Sequence, residues 1–210
     1  MDVDANQVHY LQRLAKQYPY IQAASTAIVD LAAQLSLPKG TEHFVTDIHG
    51  GYEAFRHVLR SGSGSIRRKI NELFGSALSG GDKQSLTTPI YYPNEKLPLI
   101  LKTVADEAEW YRTTLSRLVR LCRVVSGKYP RSGVRAFLPD DLASIIEELL
   151  GKQESVKDKQ EYYQSIVASI VATDSAPTVV IALAELILRL TIARLHFLWI
   201  YLGFTGIWDR

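Results

Sequence analysis

Asp47 and His49 stand two residues apart in the stretch EHFVTDIHGGYEAFRHVL, residues 42–59. Residues i and i+2 of an extended segment point to the same side. A carboxylate and an imidazole so placed can share one cation, and that donor pair suits Mn2+, Fe2+ or Zn2+ better than Ca2+. Gly50 and Gly51 follow, removing side chains where a phosphate would approach the backbone. The next helix would aim its N-terminal amides at the same place. These features together describe the opening of a metal-dependent phosphoester-cleaving site. The same tripeptide also occurs as a turn former or helix cap, so the pair alone leaves both readings open. His9, His43 and His57 have no partner pattern and read as packing or surface residues. The run Arg67, Arg68, Lys69 could meet a phosphate, but reads more simply as a solvated helix face. Trp110 and Tyr111 read as packing.

The elements that must position the pair can be placed from periodicity. Residues 7–17 carry Val8, Leu11, Leu14 and Ala15 at helical spacing, and the Ala-rich stretch to Leu37 predicts a second helix ended by Pro38-Lys39-Gly40. EHFVTD predicts a strand. GYEAFRHVLRSG returns to helical spacing, and SIRRKINELFG predicts a helix capped by Ser63 or Ser65 and closed by Gly75. SALSGGDKQS reads as a polar loop. From Leu97 to Val125 spacings of four and three run unbroken, which predicts one long helix with a narrow apolar seam, filled within the chain or by a second copy. DDLASIIEELLG predicts a helix capped by Asp140 or Asp141, DKQEYYQSIVASIVA another, and Pro177 opens the last. Residues 179–204 are long and apolar, but Glu185, Arg189, Arg194 and His196 interrupt them, which favours an amphipathic helix over a membrane span.

Composition bounds the function classes. The chain has 210 residues, 47% of them hydrophobic, with a net charge of +2 and a single cysteine, Cys122. That charge gives no footprint for nucleic acid or an acidic membrane. No internal disulfide can form, no apolar leader opens the chain, and a cytoplasmic protein is expected.

Longer strings carry a resemblance. LPKGTEHFVTDIHGGYEAFRHVLRSGSGSIRRKINELFG, IYYPNEKL, EWYRTTLSRLVRLCRVVSGKYPRSGVRAFLP and VIALAELILRL resemble the amino-terminal part of class III fructose-1,6-bisphosphatase, the type typical of Firmicutes, from about residue 8 to about residue 197. That family resembles the calcineurin-like metallophosphoesterases. The resemblance implies an α/β fold, a β-sandwich flanked by helices, of which this portion is mostly α-helical with one or few strands. It implies hydrolysis of fructose 1,6-bisphosphate in gluconeogenesis, Mn2+ as cofactor, a sugar bisphosphate as partner, and Asp47 and His49 as ligands of one metal. The implied layout is residues 1–75 for the N-terminal helices and first metal motif, 76–176 for a helical insertion, and 177–210 for a helix leading to the second motif.

The resemblance weakens at the tail. The second motif, G-D-x-x-D-R-G, is expected shortly after ARLHF. In LWIYLGFTGIWDR only Asp209 and Arg210 fit it, and Thr205 and Gly206 stand where the Gly and the metal-bridging Asp belong. A one-base frameshift followed by a stop would account for this, so a truncated and inactive phosphatase is expected, with the strand edges and last helix left uncovered. The alternative expectation is a helical interaction module that pairs as a homo-oligomer through 97–125 or 179–204.

Overall fold

The structure is a computed structural model, and it describes residues 4–46, 50–62, 64–151 and 160–197. The chain divides into two units, residues 1–39 and 40–210.

The first unit holds α1 (Ala5–Gln17) and α2 (Ile21–Leu35). The Asp4 side chain accepts from the Asn6 amide at 3.3 Å and starts α1. No residue of α2 is buried, and Ile21, Ile28, Val29 and Leu35 are exposed.

The second unit begins with β1 (Glu42–Val45), followed by α3 (Tyr52–Ser61), α4 (Ser65–Phe74) and a short 3-10 turn. Next come α5 (Gly80–Tyr91), α6 (Pro93–Leu101), α7 (Glu107–Ser126), α8 (Arg131–Arg135) and α9 (Asp140–Leu150). The unit closes with α10 (Gln160–Ala172), α11 (Ala176–Thr191) and β2 (Arg194–Phe197). The chain is thus mostly helical, with two short strands among the described residues.

The core is built around α11. Val180, Leu183, Leu186 and Ile187 are wholly buried there, as are Leu115, Leu118, Leu121 and Cys122 of α7. These two helices pack along each other, with α4, α5, α6, α9 and α10 around α11. Burying a side chain of this size stabilises by about 1.5–3 kcal/mol, so this pair dominates the cohesion of the unit. Polar tethers reinforce it: the Cys122 thiol reaches Leu183 O at 3.6 Å, and the Tyr129 hydroxyl donates to Leu190 O at 2.9 Å. Trp110 and Tyr111 pack edge to face at 5.2 Å, as expected of packing residues.

Four expectations are corrected. The helix over 97–125 is two helices, broken at residues 102–106. Asp106 accepts from the Glu109 amide at 2.9 Å and restarts the chain as α7; this cap outweighs the apolar spacing that runs through the break. The last helix does not reach residue 204. It ends at Thr191, because the amide of Ala193 bonds Thr41 O at 2.8 Å and RLHF joins a sheet. Nor does α11 offer an apolar face to a missing portion, since its apolar side is the core itself. The polar stretch 76–85 is only partly a loop. Ser79 and Asp82 form a reciprocal capping box, the Ser79 hydroxyl donating to the Asp82 carboxylate at 2.7 Å and accepting from its amide at 3.1 Å.

Two caps also differ. The residue before α4 is Gly64, not a serine, and Ser63 lies outside the described residues. Pro139 precedes α9, and Asp140 and Asp141 fall in its first turn, where a negative charge still favours the helix dipole. Gly75 closes α4 as expected.

Within the two stretches suggested for a homo-oligomer, the buried apolar residues of α7 and α11 are packed in the chain's own core. Among the described residues no single helix is long and apolar enough to cross a membrane. Only α10 and α11 taken together reach that length and composition, and they are bent by 116°.

Candidate metal-loop site

β1 and β2 pair in parallel, in the register Glu42–Arg194, His43–Leu195, Phe44–His196 and Val45–Phe197. The strand EHFV is therefore not left with both edges bare. Side chains of one face meet across the pair: the Phe44 and His196 rings stack at 4.7 Å, and Glu42 lies 4.0 Å from Arg194 and 3.5 Å from His196 Nε2. On the other face His43 Nε2 sits 3.4 Å from the Ser65 hydroxyl, tying β1 to α4. The strands begin very close together. A Cβ on Gly40 would stand 2.4 Å from the Cβ of Ala193, so only glycine lets the backbones approach this way.

Parallel pairing has a direct consequence for the candidate residues. The chain leaves both strands at one edge of the sheet, past Val45 and past Phe197. Asp47 and His49 belong to the loop after β1 but lie outside the described residues, as do residues 198–210 with Asp209 and Arg210. The loop becomes describable again at Gly50, whose φ of +70° is the left-handed conformation that favours glycine. Among the described residues a Cβ there would meet nothing within 4 Å, and Gly51 is also exposed. Gly51 precedes α3 without a side-chain cap; the Tyr52 amide donates to Gly50 O at 3.0 Å, and no partner of the Glu53 and Ala54 amides stands among the described residues. Glu53, exposed in that same turn, opposes an anion and favours a cation nearby.

Helix α3 itself carries little core: Ser61 is its one buried residue among those described. It is held by a polar and aromatic clasp to the corner between α5 and α6. Arg56 donates to Glu95 at 2.5 Å, and Arg60 donates to Tyr91 O at 2.7 Å. Both guanidinium groups lie over the Tyr92 ring, at 5.6 and 5.3 Å from its centre. His57 Nδ1 is 2.9 Å from the Tyr92 hydroxyl, and the two rings stack at 6.1 Å. The hydrogen bond to Glu95 holds the Arg56 guanidinium above its ordinary pKa. His57 is thus a packing residue, as its mid-helix position implies. Its partners could not be found from local spacing, because Tyr92 is 35 residues away.

Of the basic run, Arg68 pairs with Glu72 at 3.8 Å on an exposed face. Lys69 is half-buried, and burial together with the nearby Lys128 pushes its pKa down. This run lies on α4, with Arg67 and Arg68 on its exposed face. Among the described residues no three His, Cys, Asp or Glu side chains come together as a metal site.

The described residues thus define a mostly helical chain with one parallel strand pair, β1 and β2, which end at the same edge of the sheet. The chain belongs to the Firmicute fructose-1,6-bisphosphatase family, whose model matches residues 9–210. It is 50% identical over 200 residues to the class 3 fructose-1,6-bisphosphatase of Clostridium botulinum, and 51% identical over 196 residues to that of Clostridium novyi. These alignments cover 92% and 93% of this chain, and the chain spans 30% of the length of each relative. No solved structure matches it. The family match runs to Arg210 and so includes the tail in which only Asp209 and Arg210 fit the expected second motif.

Proposed function

We propose that these 210 residues supply the first metal-binding loop and the helical body of a fructose-1,6-bisphosphatase of the metallophosphoesterase superfamily. The reading extends to Mn2+ as the cation, the cytoplasm as location, and gluconeogenic hydrolysis of fructose 1,6-bisphosphate as the reaction of the whole protein. The observation that carries it is the register pairing of Val45 with Phe197. The D-x-H loop follows the first strand and the expected second motif follows the other, so both belong to the carboxyl edge of one parallel pair, the place where α/β sheets bind ligands.

The donor set fits a cation in part. Asp47 and His49 supply one carboxylate and one imidazole, a combination suited to Mn2+. When bound, a metal pair supplies an activated water and positive charge for the phosphoryl oxygens. The chain's own contribution is to clear and shape the approach. Gly50 and Gly51 carry no side chain into the approach, and the N-terminus of α3, without a side-chain cap, follows directly. Two donors from one loop cannot hold two metals, so the 210 residues alone do not turn over substrate.

The test is phosphate release from fructose 1,6-bisphosphate with Mn2+. It compares this chain with one in which residues 198–210 are replaced by the corresponding segment and remaining length of the Clostridium novyi relative, each with and without Asp47→Ala. The expected result is no turnover by the short chain, turnover by the extended one, and loss of that turnover with Asp47→Ala. Turnover by the short chain refutes the incomplete site. An extended chain that stays active with Asp47→Ala refutes the metal assignment.

A further inference from the structure

In the first unit, α2 reads IQAASTAIVDLAAQL, and none of its residues is buried. Ile21, Ile28, Leu31 and Leu35 are 79%, 66%, 57% and 89% exposed. With Ala24 they follow one another at spacings of three, four, three and four, the a and d positions of a two-heptad seam. A helix of 15 residues is marginal in water by itself and takes most of its stability from packing an apolar face. An exposed apolar row of this kind marks a place of contact.

The residues around the row say what that contact is. Heptad partners are selected by charge at the flanking e and g positions. Here those positions hold Ser25 and Ala32 on one side and Ala27 and Gln34 on the other, all uncharged. The one charged residue of the helix, Asp30, lies away from the row and accepts from Gln34 Nε2 at 2.8 Å. A partner of different chemistry therefore finds no charge to recognise, whereas two copies bring no like charges together and set one apolar row against an identical one. Ser25, Ala27 and Ala32 are also small, so two such helices can approach closely. The area agrees. The four large side chains expose on the order of 550 Å² per copy, so a symmetric pair covering both rows removes about 1,100 Å², just above the roughly 1,000 Å² that a specific interface needs. We infer that α2 is a self-association helix, which pairs with α2 of a second copy of this chain through Ile21, Ala24, Ile28, Leu31 and Leu35.

The test is sedimentation velocity of the 210-residue chain over a dilution series, beside Ile28→Glu/Leu35→Glu and Val29→Glu. All three side chains are exposed, and circular dichroism checks that helicity is retained. The unaltered chain is expected to form a dimer that dissociates on dilution. Ile28→Glu/Leu35→Glu places unpaired carboxylates inside the seam and should weaken the dimer about tenfold or more. Val29→Glu adds the same charge at an equally exposed residue beside the row, and should stay within about twofold. The chain completed with the Clostridium novyi segment is measured with and without the seam substitutions, which should weaken its association too. A monomer at every concentration, aggregates without a dimer, a dimer unchanged by the seam substitutions, or equal losses in both variants would each overturn the inference. So would a completed chain whose association the seam substitutions leave unaltered, which would assign the row to the rest of the protein.

Discussion

Replacing Tyr92 isolates the clasp that holds α3, the helix that follows the proposed metal-binding residues Asp47 and His49. In Tyr92→Ala the backbone hydrogen bond from residue 92 to Thr88 O remains, so the loss is confined to the side chain. That loss comprises the hydrogen bond with His57 at 2.9 Å and two arginine contacts at 5.6 and 5.3 Å. A net hydrogen bond contributes about 1 kcal/mol and each cation–π contact at a solvated site about 0.5 kcal/mol, so the ring is worth about 2 kcal/mol. Tyr92→Phe keeps the ring face and loses only the hydroxyl, about 1 kcal/mol. With a urea slope of about 2 kcal/mol per molar, the unfolding midpoint should fall by about 1 M for alanine and about 0.5 M for phenylalanine. Hydrogen exchange supplies the local readout, with the amides of Leu59 and Arg60 losing protection before those of α7 and α11. The reasoning fails if phenylalanine costs as much as alanine, or if α3 exchanges no faster in either variant.

Three other outcomes follow from the same structure. Gly40→Ala would push a Cβ to 2.4 Å from that of Ala193, and should destabilise by about 1–3 kcal/mol and expose the Ala193 amide to exchange; an unchanged midpoint refutes the close approach. Burial pushes the Cys122 thiol far above its usual pKa, so an aromatic disulfide reagent at mildly alkaline pH should label it only as fast as the chain unfolds; rapid labelling of the native chain refutes that burial. The Ser79 hydroxyl holds the Asp82 carboxyl below its usual value, so its contribution is present at neutral pH and is lost as pH falls through that lowered value. Asp82→Asn should therefore lower the melting temperature at neutral pH and leave it nearly unchanged in strong acid; an equal drop at both pH values refutes the assignment.

Where the sequence misleads, the cause is a non-local or capping interaction. The apolar spacing from Leu97 to Val125 cannot reveal the break at Asp106, because Leu101 and Val104 stay in phase with α7 across it. Asp106 followed three residues later by Glu109 was the available signal. RLHF looks like the end of a helix because Leu186, Leu190 and Ile192 lead into it. Its strand state depends on Thr41 and β1, some 150 residues earlier in the chain. Ser79 with Asp82 is a legible helix start inside what reads as a loop. By contrast α1, β1, α3 and the closure of α4 at Gly75 follow from local pattern alone. The expected metal pair, Asp47 and His49, lies in residues 47–49, outside those described.

The parallel strand pair also explains why the helices matter to the site. Parallel neighbours cannot be joined by a tight turn; they need a crossover, and here the crossover is the whole run from α3 to α11. Two four-residue strands are too short to fix their own geometry in water. Their positions are inherited from what adjoins them. β2 is reached directly from α11, whose Leu186, Ile187 and Leu190 are locked in the core, so the carboxyl end of β2 moves only if that core moves. On the other side the loop after β1 runs into α3, which the Tyr92 clasp ties to α5 and α6, and both of those pack on α11. One buried helix therefore anchors both sides of the edge where two metal loops would meet. Changes at Leu186 or Tyr92, neither able to ligate a metal, should weaken metal affinity in the extended enzyme by altering the distance between those loops.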